Sequence, residues 1–189
     1  MAATGSNTVA NVSTTKGVAG GYFFSAPSTA TVPTDYSTAL SNDFVNLGFI
    51  SEDGVAETIE TDTTDFADMN GDVVFTATSK RTETIKATLL EVKEAALKEI
   101  YGQSMVTVAQ TGDMTVKHGG HDNPNRIYVL DLVLRDGRKW RQVIPAGQVT
   151  EVGDLSLAAG ELAGREVTIT ANVDTTGVSV YDYIQAVSA

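Results

Sequence analysis

From Val55 onward the chain alternates apolar and polar residues, with Val, Thr and Ile dominant, which is the pattern of half-buried β-strands. The longest such stretch is Val73–Leu89. Its odd positions include Val73, Phe75, Ala77, Ile85, Ala87 and Leu89. Its even positions include Thr76, Thr78, Lys80, Thr82, Thr84, Lys86 and Thr88. This predicts one apolar face and one Thr/Lys face turned to water, and a solvated outer face accounts for the polar positions without any function. Over 91–101 the period changes. Val92, Ala96 and Ile100 recur every fourth residue with Leu97 and Tyr101 beside them, so one amphipathic helix is expected, stopped by Gly102.

Residues 126–144 read as a hairpin around Arg135-Asp136-Gly137. A three-residue turn with Gly137 left-handed pairs Leu134 with Arg138. It sets Leu130, Leu132 and Leu134 on the face of Trp140 as core, and sets Asp131 opposite Arg141. A two-residue turn would instead bring Lys139 and Arg141 onto the leucine face. Over 165–173 the alternation is clean, with Val167 and Ile169 directed inward. The segment 178–189 fits a strand or a helix. Residues 1–20 read as a mobile arm ahead of a single domain over 21–189. The Pro/Ser/Thr-rich residues 25–43 read as a long loop.

Composition narrows the function classes. The chain has 189 residues, 42% hydrophobic and 20% charged, which is enough for a packed core and rules out wholesale disorder. The net charge of -11 argues against a nonspecific DNA clamp, because phosphate binding needs a basic surface. Cysteine is absent, which removes disulfides and thiol catalysis. No apolar run approaches the roughly 18 residues of a membrane span, and residues 1–20 lack the basic start and apolar block of a signal peptide. The sequon at Asn11 carries no weight without secretion.

Candidate chemistry is sparse. His118, His121 and Asp122 form the one histidine cluster, in a Gly-rich loop with no further histidine or cysteine to complete a zinc site. Asp65, Asp68, Asn70 and Asp72 resemble a calcium loop, but with Gly71 in the sixth place the first and twelfth ligands would be Phe66 and Ala77. No nucleophile elbow, phosphate loop or dinucleotide fingerprint is present, so no enzyme activity and no cofactor are expected.

Three stretches together carry a resemblance. They are Leu47-Gly-Phe-Ile-Ser-Glu-Asp-Gly54 running into Val55-Ala-Glu-Thr-Ile-Glu60, then Asn70-Gly-Asp-Val-Val-Phe-Thr76 with the long Thr-rich strand, helix and Gly102. The third is Arg135-Asp-Gly-Arg-Lys-Trp-Arg-Gln-Val-Ile-Pro145 followed by Gly147-Gln-Val-Thr-Glu-Val-Gly153. In this order, over about residues 45–180, they resemble the major tail protein of long-tailed, siphovirus-type bacteriophages, nearest to those of actinobacteria.

The resemblance implies a mainly β fold, a tail-tube β-sandwich or barrel with one flanking helix. It implies hexameric rings stacked into a tube that conducts the genome into the host, with no catalysis. The implied partners are other copies of the chain, a tape-measure protein and tail-tip or terminator proteins, with passive passage of double-stranded DNA and no membrane insertion. The implied location is the virion tail, after assembly in the host cytoplasm. On this reading Thr58, Glu60, Thr76, Thr78, Lys80, Thr82, Thr84 and Lys86 face the lumen. The loop over 61–71, with Asp62, Asp65, Phe66, Asp68 and Asn70, reaches a neighbouring ring or subunit. A capsid decoration or head–tail joining protein, a carbohydrate-binding β-domain and a carboxylate-pair hydrolase are the competing readings.

Overall fold

The computed structural model of the chain describes residues 7–120 and 123–187. Among the described residues a 3-10 helix at Val9–Asn11 is followed by eleven strands and one α-helix in order: β1 (Thr15–Gly17), β2 (Phe23–Pro27), β3 (Val45–Asn46), β4 (Ile50–Ala67), β5 (Val73–Leu89), α1 (Glu94–Tyr101), β6 (Val106–Val108), β7 (Met114–Val116), β8 (Arg126–Leu134), β9 (Lys139–Val152), β10 (Arg165–Asn172) and β11 (Tyr181–Ile184). The fold is mainly β. One antiparallel sheet runs β3-β2-β8-β9-β10-β5-β4, with β1 added to β8 and β11 added to β9. The small β6–β7 hairpin stands apart beside α1.

Strand β8 shows why the sheet is buried on both sides. Its run Ile127-Tyr-Val-Leu130 is apolar throughout, and successive side chains point to opposite faces. Tyr128 and Leu130 join Phe23, Ile85, Leu89, Ile144, Val167 and Ile169 in the main core. Ile127 and Val129 join Ala26 and Val143 in a second core, packed by Phe24, Val32, Leu40, Phe44, Tyr181 and Tyr183. The Pro-rich segment is therefore a cover over this second core. It starts after β2, so Ser25 is a strand residue rather than a loop residue.

The β8–β9 turn has the three-residue form. Leu134 N donates to Arg138 O at 2.9 Å, Gly137 N donates to Leu134 O at 2.9 Å, and Gly137 has φ 88°. Asp131 faces Arg141 in the ladder, and the guanidinium grips both carboxylate oxygens at 2.6 and 2.9 Å. Leu130, Leu134, Val167 and Ile169 are buried. Leu132 packs from the core's edge, and Trp140 is only half-buried. The expectation of a core tryptophan is corrected here: the indole N–H donates to Asp182 at 2.6 Å, which holds the ring at the surface.

The helix begins three residues later than its periodicity suggests. Glu91 is drawn off by the backbone instead, accepting from Phe49 N at 2.9 Å. On the helix, Ala96 is buried and Ile100 packs against the main core, as the periodicity predicts, while Val92 is exposed and the charged Glu99 is buried instead. Near the N-terminus, Thr15–Gly17 pairs with β8, so the sheet starts inside the segment read as an arm. The open reading of 178–189 resolves as a strand over Tyr181–Ile184, paired with β9.

Candidate assembly surface

Strands β4 and β5 form one long hairpin, with β4 alone spanning about 60 Å at strand rise. The half nearest the body is covered. There β5 alternates buried and half-buried residues from Thr82 to Leu89, and β10 pairs with it from Arg165↔Leu89 to Thr170↔Thr84. Beyond Thr84 no third strand follows among the described residues. Nine residues of β4 (59–67) and eleven of β5 (73–83), roughly 30–35 Å, project as a two-stranded arm. Most of the segment expected to be a loop is strand: Asp62, Asp65 and Phe66 lie on β4, and only Asp68 and Asn70 sit in the tip turn.

The tip is closed by Asp68. Its carboxylate accepts from Asn70 N at 2.8 Å and Asp72 N at 3.0 Å. These two bonds, the larger from Asp72, hold the carboxyl below the ordinary carboxylate range. The turn repeats the β8–β9 geometry, with Gly71 at φ 88°. The aspartates that hint at a calcium loop thus serve a hairpin turn, and among the described residues no group of three His, Cys, Asp or Glu side chains is placed to hold a metal. His118 lies against the Tyr101 ring, centroids 4.5 Å apart, while His121 and Asp122 fall outside the described residues.

The expectation that Thr76 to Lys86 share one face is corrected by a β-bulge. Asp62 pairs with Lys80 but Thr63 pairs with Thr78, leaving Ser79 as an extra residue. One extra residue reverses the alternation beyond it. Lys80, Thr82, Thr84 and Lys86 therefore share a face with Ala56, Thr58, Glu60 and Asp62. Thr76 and Thr78 lie on the opposite face, where Thr76 Oγ1 donates to Asp65 at 2.6 Å. Phe75 crosses to the lysine side and stacks on Phe66, centroids 5.9 Å apart. A one-residue bulge leaves almost no mark in a Thr/Ser-rich sequence, so alternation counted straight through it fails.

The polar face continues sideways. Lys86 pairs with Thr168 and Thr84 with Thr170, and Thr150 on β9 meets Thr170 hydroxyl to hydroxyl at 2.9 Å. Four strands, β4, β5, β10 and the second half of β9, thus present one Thr-rich surface opposite the main core. Its charges are mixed: Lys80 and Lys86 stand among Glu60, Asp62, Glu151 and Glu166.

Two polar clusters were invisible in sequence. Under α1, buried Glu99 accepts from Ser25 Oγ at 2.8 Å and from Tyr128 OH at 2.6 Å. The buried Arg126 Nε lies 2.8 Å away without its N–H aimed at the oxygen. Burial, then the Glu99 charge, pushes the Tyr128 hydroxyl well above its ordinary pKa. At the joint of arm and body, buried Glu83 accepts from Ser179 Oγ and from Arg81 at 3.0 Å, while Gln142 donates to Glu57 at 2.8 Å. Glu57 is raised by its hydrogen bond to Glu83 and then by burial. Burial pushes Glu83 up, but bonds from Glu57, Ser179 and Arg81 outweigh it and hold it low. The shifts run in opposite directions, so Glu57 keeps its proton to higher pH than Glu83. Nothing in the spacing of 57, 83, 142 and 179 announces this cluster.

The family model described as phage tail tube protein matches residues 3–187. No curated protein matches the sequence. Among solved structures, the chain is similar to the tube-terminating cap of the anti-feeding prophage at 15% identity and TM-score 0.44, covering 91% of this chain and 93% of that one. It is similar to a chain of the sheath–tube complex of an extracellular contractile injection system, PVC, at 15% identity and TM-score 0.43, covering 88% and 89%. A chain of that system's sheath/tube terminator matches at 15% identity and TM-score 0.40, covering 90% and 98%.

Proposed function

Because the chain belongs to the phage tail tube protein family, we propose that it forms hexameric rings that stack into the tube through which the genome leaves the virion, without a catalytic step. The observation that carries this reading is the four-strand Thr-rich face ending in the unpaired outer edge of β4. A free edge of that length is an aggregation hazard unless a neighbour pairs with it. Six copies giving four strands each make about 24 strands; at about 4.8 Å spacing and 40° tilt the backbone diameter is about 48 Å. Side chains leave roughly 35–40 Å inside, enough for a DNA duplex and water.

On this reading Thr58, Glu60, Lys80, Thr82, Thr84 and Lys86 line the lumen, and Thr76 and Thr78, beyond the bulge, face away from it. Lysines interspersed with carboxylates give DNA no continuous basic track to grip, so it slides. The arm, with Asp62, Asp65, Phe66, Asp68 and Asn70, joins neighbouring copies. Tape-measure, tail-tip and terminator proteins complete the tail, which assembles in the host cytoplasm and belongs to a siphovirus-type phage of an actinobacterial host.

Negative-stain electron microscopy of the concentrated protein tests the reading. Hollow tubes or six-fold rings are expected, and a map then places Lys80 and Thr82. Finding those two side chains on the tube exterior would overturn the lumen assignment. Tubes that form unchanged after deletion of residues 62–70 would overturn the role of the arm.

A further inference from the structure

The arm tip carries acidic charge, and the complementary charge lies elsewhere on the same chain. Between residues 61 and 79 stand Asp62, Asp65, Asp68 and Asp72 with no Lys or Arg. Phe66, Met69, Val74 and Phe75 are exposed beside them, Met69 completely. At the β8–β9 turn, Arg135 and Lys139 are exposed, with Lys16 on the adjoining β1. Among the described residues none of these three cations has a carboxylate within ion-pair distance, whereas Arg138 is bound to Asp136 at 2.6 Å. A cavity of about 330 Å³ opens between Lys16 and Arg135, lined also by Thr14, Val133 and Leu134.

The register places both features toward the same end of the sheet. Arg165 pairs with Leu89 and Val167 with Val152, which marks one end. From there β5 runs back to the tip, and β9 runs back to Lys139, in the same direction. Two strand-to-strand twists of about 20–25° leave the directions within about 50°. A copy standing beside its neighbour, rather than on top of it, brings an acidic tip to a basic turn. Such a contact uses different patches on the two copies, and repetition by rotation closes a ring.

We propose that the acidic, apolar tip of one copy seats on the basic β8–β9 turn of a second copy, its Asp side chains on Lys16, Arg135 and Lys139 and its aromatic pair over the cavity. This rests on the tube reading only in taking the partner to be a second copy. The charges are exposed, so the contact weakens with salt over a screening length of about 10 Å at 0.1 M.

The absence of cysteine makes a clean test. Asp72→Cys and Lys139→Cys proteins, made separately, are mixed with a short bismaleimide. Heterodimers are expected in the mixture and at background in either protein alone; no excess in the mixture overturns the proposal. In parallel, Asp62→Lys with Asp72→Lys, and Arg135→Glu with Lys139→Glu, are each expected to elute as monomers, and placing both reversals in one chain is expected to restore assembly. Wild-type-like assembly of either single set, or no rescue, overturns the proposal. If tubes form and the reversals leave them unchanged, the tube reading stands and this contact falls. If cross-linked pairs form without any tube, the contact stands and the tube reading falls.

Discussion

Two halves of one hairpin differ in what covers them, though their sequences read alike. From Ile85 to Leu89, β5 buries every second side chain; β10 pairs along its edge and α1 packs into the same core. From Val73 to Ser79 the same strand, with the same Val/Thr text, is exposed but for Ala77, which is half-buried. A two-stranded ribbon is marginal in water unless a third element buries one face. The body supplies that element for the near half only. The difference teaches that β-propensity locates strands, whereas burial decides which of them stands on its own and which needs a neighbour.

The sharpest break between the regions comes from charge. Glu99→Ala leaves the Arg126 charge buried without its carboxylate and the Ser25 and Tyr128 hydroxyls without their acceptor, and is expected to cost about 3–5 kcal/mol in urea unfolding. Asp65→Ala removes a hydrogen bond that is fully in water on the arm, and is expected to change stability by less than about 0.5 kcal/mol. Equal costs would show that the arm is packed against something in the free monomer. A smaller contrast uses one methylene. Ile169→Val in the core is expected to cost about 0.5–1.5 kcal/mol, and Ile59→Val on the arm less than about 0.5 kcal/mol until tubes form.

Legibility in the sequence follows the same division. The body's strands, the three-residue turn at Gly137 and the Asp131–Arg141 pair follow from alternation and turn chemistry, because one buried face fixes the register. The arm defeats that logic. With neither face buried, nothing in the pattern marks the bulge at Ser79, so alternation alone puts Thr76 and Thr78 on the same side as Lys80. The acidic residues over 61–71 read as loop because exposed strand and exposed loop share a composition. Trp140 misleads for another reason: its size suggests the core, but Asp182, 42 residues away in sequence, holds its N–H at the surface. Glu99 and Glu83 could not be found at all, since their partners come from distant strands.

The smallest effect lies at the joint between the two regions. Glu57 is raised above its ordinary 4.5, so its share of stability is complete below that pH and is lost as pH rises through the raised value. Glu83 is lowered, so its share is present above 4.5 and is lost as pH falls through the lowered value. The pair therefore favours the fold most near the ordinary carboxylate value and loses ground on either side. Arg81 and Asp182 face the same site, and Arg81 keeps Glu83 charged when the proton is lost. Glu57→Gln retains a donor toward Glu83 and an acceptor for Gln142 but cannot titrate. Its melting temperature is expected to hold level from pH 4.5 to about 7, where wild type declines slightly on the alkaline side. Identical slopes in the two proteins would mean that Glu83 does not raise Glu57.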